Sequence, residues 1–168
     1  MKLNYCPVCG KPLRLRPHPT EPPTPWCEGC EDWRFPLFSC AVSGILLDKS
    51  GRRMLLIRQY GEEDPVLVAG YVNKGETAEE ALIREVREEL GMTALAPRFL
   101  GSHYYAPSET LMLNFLAVLS EESPSPGPEV DGWERLVLEP GVSTFLARNL
   151  SILALDGPDV CGPISTRG

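Results

Sequence analysis

Six of the 23 acidic residues in this 168-residue chain fall between Glu76 and Glu89. They are Glu76, Glu79, Glu80, Glu85, Glu88 and Glu89. Carboxylates at this density repel and raise one another's pKa unless cations neutralise them. Oxygen ligands suit Mg²⁺ or Mn²⁺, so the cluster reads as a metal site built to handle phosphate. If the segment is helical, Glu85, Glu88 and Glu89 share an arc of about 100° at 3.6 residues per turn. Ala78 and Ala81 fall in the same arc and are expected to leave space over the carboxylates. Leu82, Ile83, Val86 and Leu90 form the neighbouring stripe and must face a core. Ions bridging such carboxylates to a diphosphate would polarise phosphorus and lower the pKa of an attacking water.

The second set is four cysteines, Cys6-x2-Cys9 and Cys27-x2-Cys30, with 17 residues between the pairs. Two tight turns, Cys9-Gly10 and Gly29-Cys30, can aim four thiolates at one tetrahedral Zn²⁺. Closed coordination leaves no position for substrate, so the zinc is expected to be structural. Disulfides are the alternative, and His18 could replace one ligand. Cys40 lies in an apolar strand pattern and Cys161 in a Gly/Pro-rich tail, and neither has the neighbours of an activated nucleophile. Residues 1–36 carry five Lys/Arg and four acids. Adding four thiolates and Zn²⁺ makes this module slightly negative, and the whole chain has a net charge of −7. That is a poor footprint for binding DNA or RNA through phosphates. The module is expected to stabilise the chain or to form a homodimer.

The elements that must position these groups follow from periodicity and turn residues. Strands are predicted at residues 38–47, 54–60 and 66–69, with Asp48-Lys49-Ser50-Gly51 turning the first into the second. Thr77-Ala78-Glu79-Glu80 is a capping box and Gly91 a helix stop, which bounds a helix at about residues 78–90. Further strands are predicted at about 95–105, 110–119 and 130–138. The stretch 121–128, rich in Ser and Pro, is expected to be a flexible surface loop, and five prolines make 16–25 an extended loop. A second helix is predicted at 143–155, and the residues from 157 onward are expected to fray. The order of elements gives an α/β or α+β fold around one sheet.

Gly70-x5-Glu76-x7-Arg84-Glu85-Val86-x-Glu88-Glu89-x-Gly91-Met92 resembles, position by position, the signature of the Nudix hydrolases, which cleave a nucleoside diphosphate linked to another group. The resemblance implies an α/β/α sandwich with a mixed sheet. It further implies Glu85, Glu88 and Glu89 as metal ligands or base, and the backbone carbonyl of Ala69 as a further ligand. Glu76 paired with Arg84, together with Gly70 and Gly75, is implied as the support of the loop. Glu129 in Glu129-Val130-Asp131 resembles the later family glutamate that completes the metal site.

A four-cysteine zinc ribbon before this box is similar to the NADH pyrophosphatase group, which splits NAD(H) into nicotinamide mononucleotide and AMP. That group carries an aromatic, proline-rich stretch about ten residues after the box. The matching positions here are Ser102, His103, Tyr104, Tyr105 and Ser108, and they are implied to touch substrate. The group's Gln, Trp and proline spacing are not reproduced, and Asn73 stands where the group has Glu. Tyr71 occupies the position of an aromatic residue that stacks on a base or nicotinamide ring.

The implied partner is a small nucleoside diphosphate derivative, NADH or NAD⁺ first, with an NAD-capped RNA end as the one nucleic-acid exception. ADP-ribose or FAD is the alternative within the enzyme class. A non-catalytic sensor is the alternative outside it. The expected organisation is a zinc ribbon at 1–36, a Nudix domain at 37–156 and a flexible tail at 157–168. No apolar run approaches the roughly 18 residues needed to cross a bilayer, and Met1–Cys6 lacks a secretory apolar region. A cytoplasmic location is expected.

Overall fold

The computed structural model describes residues 3–35, 37–120 and 123–141. By internal contacts the chain divides into two compact units. One comprises residues 1–40 with 103–111, and the other comprises 41–102 with 112–168. The first unit therefore takes in the His103–Leu111 segment, far away in sequence. The predicted helix at 143–155, the tail at 157–168 and Cys161 lie outside the described residues. No helix among the described residues is long and apolar enough to cross a membrane.

In the first unit, β1 (Arg14–Arg16), β2 (Thr24–Cys27) and β3 (Asp32–Trp33) form a small antiparallel sheet. The expected extended loop is thus shorter than the proline count suggests. Arg16, Thr24 and Pro25 pair across the sheet, and only residues 17–23 lie between β1 and β2. So small a module has little apolar core of its own. Trp26 and Trp33 meet edge to face at 4.9 Å, and the Arg16 guanidinium lies 5.3 Å from the centre of the Trp26 ring.

The second unit holds most of a six-stranded sheet. Its strands are β4 (Ser39–Leu47), β5 (Arg53–Gln59), β6 (Val68–Tyr71), β7 (Ala94–Tyr105), β8 (Thr110–Leu119) and β9 (Val130–Val137). The spatial order is β7-β8-β4-β5-β9, and β6 pairs with β4. The buried Asp48 closes the β4–β5 hairpin. Its carboxylate accepts from the backbone amides of Arg52 and Arg53 and from Arg53 Nε at 2.8 Å.

The single described α-helix of more than one turn, α1 (Ala78–Leu90), begins and ends where the sequence predicts. Thr77 and Glu80 make both bonds of the capping box, and Gly91 adopts the left-handed conformation at φ 63°. Leu82, Val86 and Leu90 are fully buried against Val42, Leu46, Ile57, Val68 and Phe115 of the sheet. Each such side chain contributes about 1.5–3 kcal/mol by leaving water. This packing holds the helix to the sheet. Ala81 belongs to the same core at 0% exposure, so it fills space under the helix instead of leaving room above the glutamates. Leu47, Leu116 and Val118 form a second apolar cluster. The alternation along β8 puts it on the other face of the sheet.

The stretch 123–128 is not a loose loop. Ser125 N–H donates to the Leu90 carbonyl at 2.7 Å, and Gly127 N–H donates to the Glu89 carbonyl at 2.9 Å. The last carbonyls of a helix have no partner within it. The loop supplies those partners, which seats it on the end of α1. Gly127 is required by the close approach, because a Cβ there would overlap the Glu88 backbone carbonyl.

Candidate active site and candidate zinc centre

Arg84 ties the signature loop to the helix. Its Nε and Nη2 donate to the two Glu76 carboxylate oxygens at 3.1 and 2.8 Å. Nη1 reaches Glu85 at 2.7 Å and Glu88 at 3.0 Å, and Nη2 also donates to the Tyr71 carbonyl at 2.9 Å. Asn73 N–H donates to Glu76 Oε1 at 2.6 Å. The Arg84 guanidinium, with the Asn73 amide, holds the Glu76 carboxyl below the usual carboxylate range. The same glutamates raise the pKa of Arg84, with Glu76 the largest contributor. Gly75 has φ 96°, a left-handed backbone that non-glycine residues rarely adopt. Gly70 is needed for a different reason. A Cβ on it would overlap the Glu85 carboxylate, which lies directly against the β6 backbone. Gly70→Ala is expected to displace Glu85 and slow turnover about 100-fold, a common cost of a 1 Å misplacement. Steady-state assays on protein of unchanged circular dichroism would check this.

Glu85, Glu88, Glu89, Pro128 and Glu129 line a cleft of 310 Å³. Glu129 reaches it because the 123–128 stretch is seated on the helix end. Glu89 is the most constrained of the four carboxylates. It is 7% exposed, and its Oε1 accepts from Gln59 Nε2 at 2.6 Å. Its Oε2 is buried with no hydrogen-bond partner. Burial raises its pKa, and Glu85, Glu129 and Glu88 add to the rise against the Gln59 hydrogen bond, giving a value of about 7. A buried carboxylate oxygen without a donor, flanked by three further carboxylates, is poorly satisfied by protein alone. A divalent cation would supply what is missing, so the donor set fits Mg²⁺ or Mn²⁺.

Gln59 and Tyr60 were not singled out from the sequence, where they end an apolar strand pattern. Tyr60 Oη donates to Glu129 Oε2 at 3.0 Å. That bond, then the charges of Glu129, Glu89 and Glu85, raises the Tyr60 pKa.

The remaining expected site residues are Ala69, Tyr71, Ser102, His103, Tyr104, Tyr105 and Ser108. Ala69 is paired with Ser43 in the β4–β6 ladder, and the exposed Tyr71 with Ala41. Ser102 belongs to the second unit. His103, Tyr104, Tyr105 and Ser108 belong to the first unit and are exposed. Ser108 Oγ lies 2.8 Å from Thr110 Oγ1.

In the first unit, the sulfurs of Cys6, Cys9, Cys27 and Cys30 all lie within 4.8 Å of one another. Cys6 and Cys30 are 3.8 Å apart and Cys9 and Cys27 3.4 Å, too far for disulfides. Four sulfurs bound at about 2.3 Å to a tetrahedral zinc would stand at comparable separations. Arg34 Nε donates to Cys6 Sγ at 3.3 Å. Burial raises the pKa of Cys6. Donation from the Cys9 amide, Arg34 and the Val8 amide outweighs it and brings the thiol down to about 6. Cys30 is pushed up to about 12, first by its contact with Cys9 and then by burial. Thiols crowded in this way gain from a shared dication. His18 is not part of the cluster. Its Nδ1 accepts from the Thr20 and Glu21 amides at 3.2 and 3.1 Å, and its ring packs on Trp33.

Fold and cleft together define an α/β protein with a carboxylate-lined cleft beside its one long described helix. The NUDIX domain family model matches residues 38–143, and the chain belongs to that family. Among curated relatives, a protein named NAD-capped RNA hydrolase NudC from Stutzerimonas stutzeri (strain A1501) is 31% identical over 128 residues. That match covers 75% of this chain and 45% of the relative. The protein of the same name from Salmonella typhi is 33% identical over 120 residues, covering 68% and 43%. The chain thus spans less than half the length of these relatives. Among solved structures, a NUDIX hydrolase from Nitrosomonas europaea superposes with a TM-score of 0.64 at 21% identity, over 80% of this chain and 78% of that one. A MutT/nudix family protein from Enterococcus faecalis gives 0.55 at 23% identity, over 63% and 46%. These two likenesses concern the fold.

Proposed function

We propose that this chain hydrolyses the pyrophosphate bond of a dinucleotide of the NAD(H) type, releasing nicotinamide mononucleotide and AMP. The observation that carries the reading is the buried, partnerless Oε2 of Glu89 in a cleft shared with Glu85, Glu88 and Glu129. Those four carboxylates would hold Mg²⁺ or Mn²⁺, with the Ala69 carbonyl as a further ligand. An ion held by these residues would screen phosphate charge and lower the pKa of an attacking water. Arg84 keeps Glu85 and the signature loop in a fixed relation. The exposed Glu88 and Glu129 are the groups through which a proton passes to solvent. In the first unit, Cys6, Cys9, Cys27 and Cys30 hold a structural Zn²⁺, and residues 1–36 form the ribbon that precedes a hydrolase domain at 37–156.

The choice of dinucleotide is supported by the NudC-named relatives. It is also supported by the aromatic content of Tyr71, Tyr104 and Tyr105. Ser102, His103 and Ser108 complete the proposed substrate contacts. An NAD-capped RNA end presents the same pyrophosphate and falls within the class. A panel of NADH, NAD⁺, NAD-capped RNA, ADP-ribose and FAD with Mg²⁺ or Mn²⁺, read by chromatography of the products, tests it. The highest kcat/KM is expected on a nicotinamide dinucleotide, with nicotinamide mononucleotide and AMP as products. Faster hydrolysis of ADP-ribose or FAD would reassign the substrate, and no hydrolysis at all would overturn the reading.

A further inference from the structure

Gln59, the last residue of β5, and Tyr60, just past it, each hold a different carboxylate of the cleft. Gln59 Nε2 donates to Glu89 on α1 at 2.6 Å, and Tyr60 Oη donates to Glu129 at 3.0 Å. Neighbours in a regular strand point to opposite faces, but β5 stops at Gln59, and the positive φ of Tyr60 turns the chain there. The β5–β9 register shifts between Arg58, opposite Gly132, and Gln59, opposite Val130, which leaves Asp131 as a bulge. Bulges re-aim side chains and are enriched beside functional sites. The Asp131 carboxylate then accepts from Gly61 N–H at 2.8 Å. Tyr60 takes φ 58° and Gly61 φ 75°. A positive φ in a bulky tyrosine is strained, and such strain persists only where surrounding contacts enforce it.

We infer that Gln59 and Tyr60 are paired positioning residues that set the distance between Glu89 and Glu129 across the cleft and thereby its affinity for a divalent cation. The inference rests on the metal-dependent hydrolase reading above. Gln59 occupies Glu89 Oε1 and leaves Oε2 as the acceptor for an ion. Tyr60 restrains Glu129, which is otherwise exposed at a loop end. Asp131 and Gly61 lock the backbone that presents both side chains. Partners of metal ligands typically contribute about 10- to 100-fold to metal affinity or activity.

The test compares the parent chain with Gln59→Met and Tyr60→Phe, which keep shape and remove one donor each. Mn²⁺ binding is measured by electron paramagnetic resonance and thermal unfolding in parallel, and kcat and KM are taken separately across a series of Mg²⁺ concentrations. Gln59→Met is expected to weaken Mn²⁺ binding about 10- to 100-fold and Tyr60→Phe several-fold, with the unfolding midpoint little changed. The activity loss should lie in kcat and shrink as metal is raised. Parent-like Mn²⁺ affinity in both variants, with parental hydrolysis intact, would overturn the positioning role and leave the hydrolase reading standing. A parent that neither binds Mn²⁺ nor hydrolyses the substrate panel would overturn both.

Discussion

Glu89→Gln is expected to cut hydrolysis by on the order of 1,000-fold while making the protein more heat-stable at pH 8 in buffer without added divalent metal. The loss follows from the position of Glu89. It is the buried carboxylate of the cleft, and its Oε2 has no other partner. A neutral amide there removes charge that an ion needs, and effects of this size are usual when an acid–base or metal-handling group is lost. The stability gain follows from linkage. Burial raises the folded-state pKa of Glu89 to about 7 from an ordinary value of 4.5. The folded protein therefore binds more protons than the unfolded chain between those values. The contribution of Glu89 is fully present below about pH 4.5 and is lost as pH rises through about 7. The penalty at pH 8 is on the order of 2–3 kcal/mol. Glutamine does not ionise, so the variant should melt roughly 5 °C higher at pH 8 and should show no such difference at pH 4. Adding Mg²⁺ should stabilise the parent more than the variant. A variant that retains activity, or that melts lower than the parent at pH 8, would contradict this account of the site.

The second large effect concerns the cysteine cluster. Cys27→Ser should reduce bound zinc from about one equivalent to a small fraction and unfold the three-stranded sheet of the first unit. Cys27 is fully buried at the end of β2, pairs with Asp32 of β3 and lies 3.4 Å from the Cys9 sulfur. The β1–β3 sheet has strands of three, four and two residues. Strands that short do not bury enough apolar surface to fold alone. Structural zinc contributes on the order of 10 kcal/mol in small modules of this kind. Metal analysis of the purified variant, with limited proteolysis in the proline-rich 17–23 segment, would check both parts. Full zinc content with unchanged protease resistance would contradict the zinc assignment.

Local sequence was enough for the parts of this protein that depend on near neighbours. The capping box at Thr77 and Glu80, the left-handed Gly91 and the apolar stripe of Leu82, Val86 and Leu90 bounded α1 to the residue. Those signals act within a few positions of one another. The CxxC spacing likewise brought four sulfurs together, since each turn presets two of them. The 123–128 stretch misled for a physical reason. Its Ser and Pro content reports only that it forms no helix or strand, while its fate depends on carbonyls left open at the end of α1. The Ala78 and Ala81 arc misled in the same way. Helical angle places Ala81 beside the glutamates, but the depth of the helix in the sheet buries it.

The chemistry of the cleft was therefore written in sequence as residue types and spacing, and its geometry was not. Glu85, Glu88 and Glu89 follow from helical periodicity alone. That Glu89 is the buried one depends on packing against Gln59, 30 residues away. That Glu129 reaches the same cleft depends on the seated loop and on Tyr60, 69 residues away. Contacts at such separations arise from the sheet order and from a register shift at Arg58–Gln59. No periodicity within a single segment encodes either of them, so only the tertiary structure decided which carboxylates meet and which of them is buried.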